Sequence, residues 1–165
     1  MELLAKLKYL RALIPIIILS IVISGCLKSN DYPPEPVIQF LSYAYKDSID
    51  DLGNPAHLGL LTFSFTDGDG DMGLADSDTA APLDNNLYVN RIGIIGGVEQ
   101  IPVELKFRIP YITPKGQIKA LTGEMDVELD LIPVLVSYDT LFYELYILDR
   151  ALNQSNTITT GHIVL

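Results

Sequence analysis

Glu124–Leu131 carries the cleanest pattern in the chain. Met125, Val127, Leu129 and Leu131 fall on one side of an extended segment, and Asp126, Glu128 and Asp130 on the other. A period of two marks a strand with one face on a core and one in water. The same alternation runs through Leu58–Thr66, where Leu61, Phe63 and Phe65 oppose Thr62 and Ser64. In Thr140–Leu148 the apolar row is Leu141, Tyr143, Leu145 and Ile147, and in Val98–Phe107 it is Ile101, Val103 and Leu105. Val37–Tyr45, Leu87–Ile95 and Thr157–Leu165 are further runs rich in β-branched and aromatic residues, the composition strands favour. Gly96-Gly97, between two of these runs, reads as a two-residue hairpin turn. No segment after residue 26 shows a 3.6-residue apolar stripe. Seven short strands in roughly 130 residues predict an all-β sandwich.

The N-terminus follows a different rule. Lys6, Lys8 and Arg11 precede an almost wholly apolar run, Leu13 to Ile23, and then Ser24, Gly25 and Cys26. This is the basic, apolar, small-residue order of a secretory signal, expected to be helical. The run is shorter than the ~20 residues that span a bilayer. Ile23-Ser24-Gly25-Cys26 resembles the lipobox of bacterial lipoproteins. That resemblance implies cleavage before Cys26 and a lipid on its sulfur. Leu27, in place of the aspartate that retains such proteins in the inner membrane of enteric bacteria, implies an outer-membrane address, with the face left open. Cys26 is the only cysteine, so no disulfide within the chain is available to the fold. The expected organisation is a signal over 1–25, a tether over 26–36 that contains Pro33, Pro34 and Pro36, and one domain over 37–165.

Two further segments carry resemblances. Asp149-Arg150-Ala151-Leu152-Asn153-Gln154-Ser155-Asn156 resembles the D-x-A-G-N-x-S turn between the last two strands of many bacterial immunoglobulin-like domains. It implies an immunoglobulin-like or fibronectin-III-like sandwich. Leu152 stands where those domains carry glycine, which puts the shape of the turn in question.

The other segment is Thr66-Asp67-Gly68-Asp69-Gly70-Asp71-Met72-Gly73-Leu74-Ala75-Asp76-Ser77-Asp78, with five carboxylates in twelve residues, Asp67 to Asp78. Unneutralised, these acids repel one another. Ca²⁺ takes six to eight oxygen ligands, and alternate residues of a tightly turned loop converge on it. Asp67, Asp69, Asp71, Asp76 and Asp78 are therefore the candidate metal ligands, with structural calcium the expected cofactor. The competing reading is a solvated loop whose Asp-Gly pairs make turns. Met72 occupies the position where an EF-hand requires glycine, and the flanks read as strands, so the loop is not an EF-hand. It resembles the D-G-D-G-D-I-G segment of small lipoproteins of Bacteroidetes-type bacteria, a resemblance that implies fold and address more than activity.

Charge narrows the partners. Removing residues 1–25 leaves eight basic and twenty acidic side chains, a net charge of −12. Nucleic acid and anionic lipid surfaces are poor partners for such a chain. No catalytic residues are assigned: His57 and His162 form no zinc-type pair, and neither a G-x-S-x-G elbow nor a P-loop occurs. The expectation is a non-catalytic, lipid-anchored binding or scaffolding module whose partner is another envelope protein or a glycan. The alternative is a metal-dependent small hydrolase or a glycan-binding accessory lipoprotein. Ser48, Thr79 and Thr140 each sit in an Asp-Ser/Thr-apolar tripeptide resembling the O-glycosylation acceptor of Bacteroidetes. Ser48 and Thr79 are expected in loops, and Thr140 at the start of a strand.

Overall fold

The computed structural model describes residues 32–49, 52–112, 114, 119–131 and 138–164. The signal peptide, Cys26 and the first part of the tether lie outside them. The chain is all-β, as the alternation predicts: no helix occurs among the described residues. The strands are β1 (Val37–Ile49), β2 (Pro55–Asp67), β3 (Leu87–Ile95), β4 (Val98–Glu99), β5 (Val103–Phe107), β6 (Leu121–Leu131), β7 (Thr140–Ile147), β8 (Ile158–Thr159) and β9 (Ile163–Val164).

Among the described residues nine strands replace the expected seven because two runs are each divided. Pro102, with no N–H to give a ladder, separates β4 from β5, and the segment around Gly161 and His162 separates β8 from β9. Ile101 therefore leaves its expected core row and is 88% exposed. Gly96 and Gly97 adopt φ of +57° and +79°, the paired left-handed values of the tight hairpin turn that lets Ile95 face Val98.

Among the described residues all strand-to-strand pairings are antiparallel and form two sheets. One has the order β1-β2-β6; in the other, β3 pairs with β4, β5 and β7, and β7 also pairs with β8 and β9. Lettered in immunoglobulin fashion, this is A-B-E facing C′-C-F-G. Alternation builds the main core between the sheets. Leu61, Phe63 and Phe65 from β2 and Val127 and Leu129 from β6 meet Leu87 and Val89 from β3 and Leu141, Tyr143, Leu145 and Ile147 from β7. On β1 the register shifts between Phe40 and Ser42. The extra residue, Leu41, exchanges the two faces, so that Ile38 and Phe40 point inward before it and Tyr43 after it.

Asn156 closes one margin of the sandwich. Its side-chain oxygen accepts from the Ile38 amide and its side-chain nitrogen donates to the Ile38 carbonyl, both at 2.9 Å. An amide side chain here supplies the pairing that a neighbouring strand would otherwise give the β1 edge.

Candidate functional site: the acidic loop and its clasp

Asp67 ends β2 opposite Leu121, and the chain then turns across one end of the sandwich. Gly70 and Gly73 have φ of +75° and +78°, where a side chain is strained. A Cβ on Gly70 would also collide with the Lys119 carbonyl, and one on Gly73 with that of Pro110. Met72 and Leu74, on either side of Gly73, are fully buried. This explains the methionine that departs from the EF-hand pattern: it is a hydrophobic anchor for the loop.

The structure brings together three of the five expected ligands. Asp67, Asp69 and Asp71 each offer a carboxylate oxygen, and the three oxygens lie within 4.8 Å of one another. Asp67 is fully buried. Its Oδ1 accepts from the amides of Gly70 at 2.6 Å and Asp71 at 3.3 Å. Its Oδ2 is buried with no hydrogen-bond partner, and so is Oδ1 of Asp71. Burial pushes the Asp67 carboxyl up to about 6, with Asp69 and Asp71 adding repulsion against the donation from Gly70. The Asp71 carboxyl is raised as well, first by burial, then by Asp149 and Asp69, with Arg150 opposing.

Asp76 and Asp78 are not in this group. Asp78 accepts from the Ala75 amide at 2.9 Å, closing its own turn, and Asp76 is exposed. The Arg108 guanidinium fastens that second half of the loop through the carbonyls of Ala75, Asp78, Leu83 and Asp84.

The loop is clasped by the turn that follows β7. Arg150 donates from its backbone to the Asp71 carbonyl at 3.2 Å and from Nη1 to the carbonyls of Met72 and Gly73 at 2.9 and 3.0 Å. Its guanidinium lies 4.5 Å from the centre of the Tyr111 ring, a cation–π distance. The Ala151 amide donates to Asp71 Oδ2 at 3.2 Å. Asp149, fully buried, takes the backbone and side-chain N–H groups of Asn153, each at 2.8 Å. Leu152 holds φ of +67°. The left-handed turn of the D-x-A-G-N-x-S pattern is thus kept without its glycine, at the steric cost such a conformation carries for a side chain.

Pattern reading found the acids but not Arg108 and Arg150, which fasten the loop backbone, or Asp149, which shapes the clasping turn. The signal for the last two was present in the turn motif; nothing in the sequence couples Arg108 to a loop some thirty residues earlier. The tether also joins this pole: the Gly68 amide donates to the Pro33 carbonyl at 2.9 Å.

Of the glycosylation candidates, Thr79 is exposed in the loop, as expected. Thr140 opens β7, half-buried between Ile94 and Val164. Ser48 lies not in a loop but in β1, paired with Ala56 and half-buried. The apolar–polar alternation fades after Tyr45, but the backbone ladder with β2 continues. His57 lies in β2 and His162 stacks on Phe142 at 5.4 Å.

The fold and site together define a class: a two-sheet, antiparallel β-sandwich with a clasped acidic loop at one pole. No family model matches the chain, and neither a curated protein nor a solved structure matches it.

Proposed function

We propose that this is a lipid-anchored, non-catalytic binding module of the bacterial outer membrane, held through Cys26, with Ca²⁺ pinning its acidic loop. The observation that carries this reading is the polarity of the sandwich. The tether and acidic loop share one pole, through the Gly68–Pro33 bond. Five residues lie between Cys26 and Tyr32, a reach of at most about 20 Å, so a lipid on Cys26 would hold the acidic loop next to the membrane. The opposite pole then faces away. It is formed by the β1–β2 and β3–β4 hairpins and exposes Ile49, Leu52, Ile95, Val98 and Ile101. Aliphatic side chains gathered at the outward end suit a protein partner, more than a glycan, which prefers aromatic platforms.

The cation part rests on Asp67 and Asp71. Each keeps one buried oxygen that no donor satisfies, and buried carboxylates in that state call for a cation or a proton. Asp67, Asp69 and Asp71 would supply hard oxygen ligands. Ca²⁺ at a hundredfold excess over its dissociation constant is expected to stabilise the purified protein by about 2.7 kcal/mol. Asp67→Asn combined with Asp71→Asn removes that gain. A melting curve that ignores both Ca²⁺ and chelator would refute the site.

For the anchor, Cys26→Ala is expected to shift the protein out of the membrane pellet or leave it with its signal uncut. A mutant that fractionates and migrates like wild type rules out the lipid. If lipidated protein is membrane-bound and Ca²⁺ is inert, the anchor stands and only the cation falls.

A further inference from the structure

The β1-β2-β6 sheet has two margins. The side-chain amide of Asn156 meets the β1 margin at Ile38. The β6 margin has no such cover: among the described residues β6 pairs with β2 alone. Beside it a cavity of about 540 Å³ opens between β6 and the chain that runs from the end of β5 to Ile112. Six successive residues of β6, Gly123 to Glu128, line this cavity. Side chains of successive strand residues point to opposite faces, so the element that puts six in a row on one cavity is the backbone edge itself. That edge is roughly 20 Å long and turns a row of backbone N–H and C=O groups toward the opening.

The facing wall turns its backbone elsewhere. The Phe107 carbonyl accepts from the Asn86 amide at 3.1 Å and the Ile109 carbonyl from the Leu74 amide at 3.0 Å, while the Ile109 amide donates to the Asn86 side chain at 2.7 Å. Pro110 has no N–H to offer. Phe65, Leu87, Phe107 and Met125 give the groove an apolar lining. Its rim is acidic. Glu124, Asp126 and Glu128 are exposed on the wet face of β6, and their cross-strand partners on β2 are Ser64, Thr62 and Leu60, which bring no positive charge. The Thr62 hydroxyl donates to Asp126 at 2.7 Å. Among the described residues no base pairs with any of the three acids. Across the groove Arg108 is held by loop carbonyls, and Lys106 on β5 by Glu104 at 3.0 Å.

We propose that this edge takes up an extended basic peptide as an added strand, in which lysine or arginine alternates with apolar residues. Backbone hydrogen bonds to the β6 edge give such a peptide its register. Alternation then sends its apolar side chains into the groove, toward Phe107 and Met125, and its bases to the wet face beside Glu124, Asp126 and Glu128. Opposite charges on neighbouring strands attract and like charges repel. A second copy of this chain is thereby the wrong occupant, since β6 against β6 sets the same acids side by side. The groove uses none of Asp67, Asp69 or Asp71 and stands apart from the cation reading.

The test is calorimetric titration of the purified protein in chelator, which leaves the cation site out of play. The probe is a seven-residue peptide that alternates lysine and valine. One control carries glutamate in place of lysine. The other is the lysine peptide with every backbone amide methylated, which keeps the charges and removes the N–H donors. The lysine peptide is expected to bind, and the two controls are not. Glu124→Lys combined with Glu128→Lys, both at exposed positions, weakens the lysine peptide roughly tenfold, two attractive neighbours having become repulsive, and admits the glutamate peptide. No binding of the lysine peptide to wild type, or equal binding to the double variant, overturns the proposal. Equal binding of the methylated peptide means charge attraction without strand addition and overturns it as well. Sedimentation of wild type as a dimer that the double variant splits assigns the edge to a second copy instead.

Discussion

Stripped of divalent cations, the protein is expected to lose stability as the pH rises from 4 to 7, the reverse of ordinary acid denaturation. The cause is Asp67. Its carboxyl titrates near 6 in the folded chain against an ordinary value of 3.8. Between those values the folded state holds a proton that the unfolded state has released. Stability is therefore fully present below the unfolded value and is lost as the pH passes through the folded one. The difference corresponds to about 3 kcal/mol at most. Asp71 is shifted in the same direction and steepens the fall.

Asp67→Asn isolates the effect. Asparagine keeps an oxygen for the Gly70 and Asp71 amides and carries no charge to bury. It should flatten the profile and melt higher than wild type above pH 7 in chelator. Saturating Ca²⁺ should restore wild type at neutral pH and leave the variant unmoved. Urea unfolding at a series of pH values reads the slope. A wild-type profile parallel to that of Asp67→Asn would show that Asp67 is not held in the state described.

The second large effect is in the core. Phe63→Ala is expected to cost about 3–5 kcal/mol, a large fraction of the stability of an ordinary domain. Phe63 is fully buried in the middle strand of its sheet, opposite Phe40 on β1 and Met125 on β6. Strands on both sides limit how far the cavity can collapse. Ile101→Ala is the matched control. Ile101 is 88% exposed, and its loss should change stability by no more than about 0.5 kcal/mol. Equal costs at the two positions would contradict the assignment of inner and outer rows.

The period-two pattern carried the fold. Where one face of a strand is buried and the other wet, the sequence must alternate, and β2, β6 and β7 have the inward rows that the alternation predicts. Leu87–Ile95 is recovered residue for residue, since its boundaries are marked by the Asn85-Asn86 pair and the two glycines. The acidic loop was equally legible, because five aspartates among glycines are unmistakable in one dimension. What the sequence could not carry was anything set by contacts distant along the chain. The parity change at Leu41 depended on a bulge that only a neighbouring strand defines.

The separation of Asp67, Asp69 and Asp71 from Asp76 and Asp78 was likewise a matter of tertiary structure. Buried Met72 and Leu74 fix where the loop turns, and Arg108 and Arg150 hold its two halves by backbone carbonyls 24 to 78 residues away. Local sequence sets the charge and turning tendency of a segment. Which of its carboxylates are stripped of water, and so which can hold a cation or a proton, is decided by what packs over them.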